Sequence, residues 1–220
     1  MDNNPINNNC QKKSIVIASP LLILLTNYVS AVSFGELVGK WAFIPLILIE
    51  WCMFTYFIIK YHQAACLKRW LGRPRKSAVL LVLVLVTGLI PLPVFIRYYH
   101  LLSTLQVWLP WIILAVINPW LEEFYWRGLL LDYTNRWNKP AAVLFSSILF
   151  AANHAVFGVN SQLLKGPEVM LSTLVMGIVW AVTYQRTGSL KWVIIAHFLV
   201  DFFSLSAPSF LDMYTANQFK

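Results

Sequence analysis

Uncharged apolar runs recur along the chain at 14–35, 77–96, 98–121, 140–164 and 169–185, and two further runs, 41–59 and 192–211, carry one acid apiece, Glu50 and Asp201. Several reach the roughly 20 residues that a helix needs to cross a hydrocarbon layer. The pattern predicts an all-α protein, a polytopic membrane helical bundle of about seven transmembrane helices. No internal repeat, glycine-rich phosphate loop or second domain interrupts it. Residues 14–212 therefore read as a single transmembrane domain. The Asn-rich opening MDNNPINNNC reads as part of a disordered cytoplasmic tail over 1–13.

Composition supports the membrane setting, with 59% hydrophobic and only 12% charged residues. Charge adds an orientation. With the N-terminus inside, twelve of the 17 lysines and arginines fall in cytoplasmic segments, six of them between Lys60 and Lys76; the opposite side receives Lys40, Arg97, Lys165 and Lys220. Short loops follow this positive-inside bias, so the reading is a multi-pass cell-membrane protein with a cytoplasmic N-terminus and an external C-terminus. The formal charge of +8 is then accounted for by basic loops facing an anionic leaflet, and no nucleic-acid partner is implied. The first run also resembles a secretory signal, with Lys12 and Lys13 before it and Ala31-Val32-Ser33 as a cleavage-like site. Its length, and the basic 60–76 loop that cleavage would leave outside, favour a retained helix. Cys10, Cys52 and Cys66 show no disulfide or zinc-ribbon spacing.

Against this background the stretch LEEFYWRGLLL, 121–131, is costly, because each charge in a bilayer costs about 3 kcal/mol even on lenient insertion scales. On a helix, Glu123 and Arg127 lie four residues apart and share a face, so Arg127 neutralises Glu123 as a structural ion pair. Glu122 points elsewhere and has no local partner. Taken alone, this stretch fits a structural or a catalytic role. Two other motifs carry polar groups into apolar helices: Phe150 and His154 at i and i+4, and His197 and Asp201 at i and i+4. Depth links them. Taking Asn138 as the turn of a hairpin, Glu122 lies 16 residues before it and His154 16 after it, so both reach one level at 1.5 Å per residue. His197, nine residues beyond the break at Gly188, comes to a similar depth.

These residues resemble the CAAX prenyl protease and bacteriocin-processing family, also called Abi or CPBP, of intramembrane peptidases. Its signatures are Glu-Glu-x-x-x-Arg, Phe-x-x-x-His and His-x-x-x-Asn or Asp; here they appear, in that order, as Glu122 to Arg127, Phe150 to His154, and His197 to Asp201. The resemblance covers about 100 of the 220 residues and implies a catalytic core in about 105–206. It implies an intramembrane endopeptidase acting on a membrane-associated peptide or protein, prenylated or carrying a leader. Glu122, with His154 beside it, would activate a water, a general-base role. His197 would stabilise the oxyanion. Asp201 departs from the asparagine frequent at that position, since an ionised aspartate cannot donate a hydrogen bond; it is held protonated, or orients His197, or belongs to a metal site.

A divalent metal such as zinc is the alternative cofactor reading, with His154, His197 and Glu122 as ligands and a fourth position for water. No His-Glu-x-x-His helix accompanies them, and a metal-free glutamate mechanism fits the resemblance better. From another functional class, intramembrane acids and histidines also suit an ion- or proton-coupled transporter, although no inverted repeat supports it. A non-catalytic family member that binds a partner is the third reading. Glu50 reads as paired with a neighbour, Asn118-Pro119 as a kink in the fourth helix, and Trp108, Trp111, Trp120, Trp126 and Trp137 as interface anchors or core.

Overall fold

A computed structural model describes residues 5–62 and 64–214. Its first helix, α1 (Pro5–Val38), begins with Pro5, whose missing N–H costs nothing at a helix start, and carries Pro20 inside. The helix starts at Pro5 and so takes in residues 5–13 of the N-terminal tail. Neither glycine nor a second proline separates Pro5 from Ser14 to stop the helix earlier. Residues 1–4 of that tail lie outside the described residues.

Gly39, at φ +59°, provides the left-handed residue that ends α1. A 3-10 turn, Gly39–Ala42, reverses the chain into α2 (Phe43–Tyr61), which packs back along α1. The short α3 (Ala64–Trp70) follows. Next come α4 (Ala78–Leu89) and α5 (Leu92–Tyr98), broken at Pro91. Then α6 (Leu105–Glu122) runs without interruption into a π-helical segment, Glu123–Leu129, and α7 (Leu130–Tyr133). The remaining helices are α8 (Lys139–Phe157), α9 (Pro167–Thr187), α10 (Lys191–Phe203) and α11 (Ser206–Phe210).

Among the described residues, five helical stretches are long and apolar enough to cross a membrane: 12–61, 78–101, 105–133, 139–157 and 167–187. The first contains both limbs of the α1–α2 hairpin. The last membrane run is covered by α10, only 13 residues long, which continues through Leu205 at φ +53° into α11. The architecture is thus an all-helical membrane bundle with about seven embedded segments. The turn with Asn138 as N-cap and the left-handed Gly188 after α9 fall where the sequence places them. One run is shorter than expected: α8 stops at Phe157, and 158–166 is irregular. His154 therefore sits one turn from the end of its helix.

Small residues let the helices that frame the site approach closely, as they do in membranes where packing replaces the hydrophobic drive. A Cβ on Gly88 would stand 3.0 Å from the Ala196 carbonyl, and one on Gly177 would stand 3.1 Å from Ser147. These contacts draw α4 onto α10 and α9 onto α8. Two apolar clusters result, one around Trp70, Trp126, Phe150 and Trp180, the other around Phe43, Tyr98, Trp111 and Phe157. Helix α8 feeds both, Phe150 into the first and Phe157 into the second, with His154 between them.

Candidate active site

The Glu-Glu-x-x-x-Arg stretch straddles the junction between α6 and the π-helical segment: Glu122 is the last residue of α6 and Glu123 the first of the π turn. Helices with i→i+5 bonding are rare and concentrate at functional sites. Here the consequence is geometric. Both glutamates reach the same imidazole on α10, with Glu123 Oε1 2.7 Å from His197 Nδ1 and Glu122 Oε2 3.6 Å from His197 Nε2. Glu122, expected to point away from the pair, thus finds its neighbour on another helix.

The ion pair itself is as expected. Arg127 Nη1 donates to Glu123 Oε1 at 2.9 Å, and both side chains are fully buried. Its Nε and Nη2 have no hydrogen-bond partner. Instead the guanidinium lies on aromatic faces, 3.8 Å from the Phe150 ring centroid and 5.2 Å from that of Trp180. A desolvated cation on a ring face gains about 2 kcal/mol. The phenylalanine of the second motif therefore carries the arginine of the first, a role that spacing within either motif does not reveal.

His197 is fixed from all sides. Trp180 lies against it at 4.7 Å with the rings tilted by 33°, Phe150 meets it edge-on at 6.2 Å, and Nδ1 donates to Glu123, which as a carboxylate can only accept. Nε2 is directed between two carboxylates, 3.6 Å from Glu122 Oε2 and 3.6 Å from Asp201 Oδ1, spacings that one bridging water spans. Asp201 Oδ2 in turn accepts from Asn118 Nδ2 at 3.2 Å, while Asn118 Oδ1 accepts from Trp51 at 2.8 Å. Asn118, expected only to mark a kink, is a bridge from α2 to α10. Its position one turn before Glu122 is the signal that could have disclosed it.

His154 donates Nδ1–H to the Phe150 carbonyl at 3.0 Å, which leaves the lone pair on Nε2. No hydrogen bond joins it to Glu122 among the described residues. The two meet instead as walls of one cavity of about 700 Å³, to which Asn118, His197 and Asp201 also belong. Its remaining lining is mostly aliphatic and aromatic. Beside His154, Asn153 donates to Glu50 and accepts from Asn27 at 2.9 Å, so Glu50 is paired with a neighbour as expected, through amides.

Among the described residues no three His, Cys, Asp or Glu side chains stand close enough together to hold a metal ion. His154, His197 and Glu122 share a cavity without forming a ligand cluster. The tryptophans divide: Trp126 is fully buried and Trp111 nearly so, whereas Trp108 and Trp120 face outward. Trp70 and Trp180, which sequence reasoning passed over, also pack at the site, Trp70 on Phe124 and Trp180 on His197.

Neither the curated proteins nor the solved structures give a match to the chain. A family does. Residues 104–203 match the family described as type II CAAX prenyl endopeptidase Rce1-like, the CAAX protease and bacteriocin-processing group that the three motifs resemble. The matched segment contains Glu122, Glu123, Arg127, His154, His197 and Asp201, and leaves out α1 to α5. Over residues 104–203 the chain is thus similar to CAAX-type endopeptidases, on an all-helical membrane bundle.

Proposed function

We propose that this protein is an intramembrane endopeptidase in which Glu122 activates water against a peptide bond of a membrane-associated substrate. The observation that carries the proposal is the buried Glu122 Oε2, which has no hydrogen-bond partner of its own, lines the cavity, and lies 3.6 Å from His197 Nε2. A water held there accepts from His197 and donates to Glu122; the lone pair on His154 Nε2 offers a second acceptor within the cavity. Glu122 takes a proton from that water as its oxygen bonds to the peptide carbonyl carbon. The oxyanion is met by Nε2–H of His197, whose ring is oriented by Glu123 through Nδ1. When the C–N bond breaks, the proton on Glu122 passes to the leaving amine, giving one new carboxyl and one new amino terminus. Asp201, an acceptor toward Asn118, orients His197 and does not donate to the oxyanion. Glu123 and Arg127 are positioning residues. No step of this reading runs through a metal. The twelve basic residues at the α2–α3, α7–α8 and α9–α10 end and in the first turns of α1 support a cytoplasmic position for that end.

The test is Glu122→Gln, which preserves shape and hydrogen bonding but cannot take the proton. Cleavage of membrane-associated peptides by purified protein should fall by at least the ~10²-fold that general-base catalysis typically contributes, with folding unchanged. His154→Ala and His197→Ala should add little to it, since members of one catalytic unit are not additive. Cleavage that persists in Glu122→Gln would refute the assignment. Cleavage lost on chelation and restored by zinc would replace it with a metal mechanism.

A further inference from the structure

The two ends of the bundle are closed differently, and this bears on which substrates can reach Glu122. At the basic end, α3 lies across the helices like a strap. Trp70 is fully buried, packs on Phe124 and fills the space over Gly128, where a Cβ would come within 2.8 Å of its ring. Its carbonyl accepts from the Leu190 N–H at 2.8 Å and from Ser189 Oγ at 3.2 Å, its indole N–H donates to Asp132 at 3.0 Å, and Asp132 also pairs with Arg69 and accepts from Tyr184 at 2.8 Å. The strap is therefore fastened to α7, to α9 and to the α9–α10 turn. The cavity does not extend to this end. Its deepest side chain on α9 is Trp180, and no residue of α3, of 71–77 or of 187–192 lines it.

At the other end the cavity continues. Beyond Glu122 and His154 it is lined by Leu164 in the irregular 158–166 segment, by Glu168 in the first turn of α9, and by Ser206 and Tyr214 beyond α10. Glu168 is solvent-exposed and marks the rim. Laterally the cavity runs between the first half of α9 and the Pro91 break in the α4–α5 segment, past Val94, Val175 and Met176. Inside, the hydroxyl of Ser206 is buried without a hydrogen-bond partner, held where the left-handed Leu205 turns the chain. A buried hydroxyl without a partner is destabilising, and a substrate amide would satisfy it.

We infer that the substrate is an apolar segment of an exported peptide or protein, reaching the site from the non-cytoplasmic leaflet through the mouth between α9, α5 and α11, with Ser206 hydrogen-bonding its backbone. This rests on the peptidase reading and on the orientation set by the basic loops. A chain held only at the cytoplasmic surface meets the α3 strap.

Three measurements test it. In a chain whose three cysteines are replaced by alanine, Glu168→Cys in intact cells should react with a membrane-impermeant maleimide, and Arg73→Cys only after permeabilisation. The reverse labelling overturns the orientation and the inference. Next, protein reconstituted in one orientation in phosphatidylcholine vesicles is offered a pool of quenched-fluorophore peptides with randomised apolar segments, on one leaflet at a time. Cleavage is expected from the Glu168 side. Cleavage from the Arg73 side alone sinks the inference and leaves the peptidase reading standing; cleavage from neither side refutes the peptidase reading as well. Finally, Ser206→Ala should raise KM several-fold with little change in kcat, and Ser206→Thr should restore it. An unchanged KM removes Ser206 from the substrate site.

Discussion

Glu123, at the start of the π segment, and Glu50, in the middle of α2, are buried to 0% and 1% exposure, yet the groups around them differ in kind. Glu123 holds a guanidinium and an imidazole on one oxygen, and the guanidinium rests on two aromatic rings. Among the described residues Glu50 has no cation, and its partner is the amide of Asn153, itself held by Asn27. The first arrangement places charge deliberately in a dry interior, where a pair is costly to assemble but far more costly to break. The second satisfies an acid with neutral donors and braces α2 against α1 and α8 next to His154. A buried acid in this protein is thus not by itself a sign of chemistry; the sign is a buried acid that shares an imidazole and faces the cavity.

The largest difference between the two should appear on removing a partner. Arg127→Ala strands the Glu123 carboxylate and strips the stack on Phe150, and should cost on the order of 3 to 5 kcal/mol in denaturant unfolding in micelles. Adding Glu123→Gln should restore part of that loss, because the two residues share one interaction and their effects do not add. A loss below about 1 kcal/mol, the range of exposed pairs, would mean the pair is solvated and the contrast with Glu50 is false.

Glu50 should respond less and in a graded way. Glu50→Gln keeps an oxygen for Asn153 to donate to, and should change stability by less than about 1 kcal/mol, the size of an ordinary hydrogen bond. Glu50→Ala leaves the Asn153 amide unsatisfied and should cost about 1–3 kcal/mol. Peptidase activity should follow stability in both variants. A specific loss of activity in a well-folded Glu50→Gln protein would make Glu50 part of the site and erase the distinction.

The contrast marks where sequence reading succeeded and where it stopped. Local spacing discloses the Glu123–Arg127 pair, the Asn138 turn and the Gly188 break, because each is fixed by chain geometry over a few residues. The motifs likewise bring Glu122, His154, His197 and Asp201 to one cavity. Spacing does not disclose the π turn, since a change from i+4 to i+5 bonding leaves no periodic trace in seven residues, and so both glutamates on one histidine were not foreseeable. Nor does it disclose Trp180 under His197, Asn118 on Asp201 or Trp70 against Gly128, which are long-range contacts set by how helices pack. The apolar run 140–164 predicts a longer α8; Gly158 as its C-cap ends the helix at Phe157 and brings His154 to one turn from that end.

Asp212 supplies the weakest and most solvated member of the series, beyond the last membrane segment. Its backbone is left-handed at φ +49°, a conformation that Asp tolerates better than most residues. Partial burial would raise its pKa, but the backbone N–H groups of Leu163 and Gln162, the Ser161 hydroxyl and Lys40 outweigh this and pull it from 3.8 down to about 2. Those donors stand 2.7 to 3.0 Å away and tie the 158–166 segment to the chain after α11. Because the folded value lies below the unfolded one, the stabilisation is complete above pH 3.8 and is lost as the pH falls from there through about 2. Asp212→Asn should therefore lower protection of the Gln162 and Leu163 amides in hydrogen exchange at pH 6, with a gap from wild type that narrows as the pH approaches 2. Because 161–163 border the cavity rim, the loosened segment should leave kcat unchanged and affect only KM, by a small factor. A gap that stays constant with pH would show that the ties are made by shape alone and owe nothing to the carboxylate's charge.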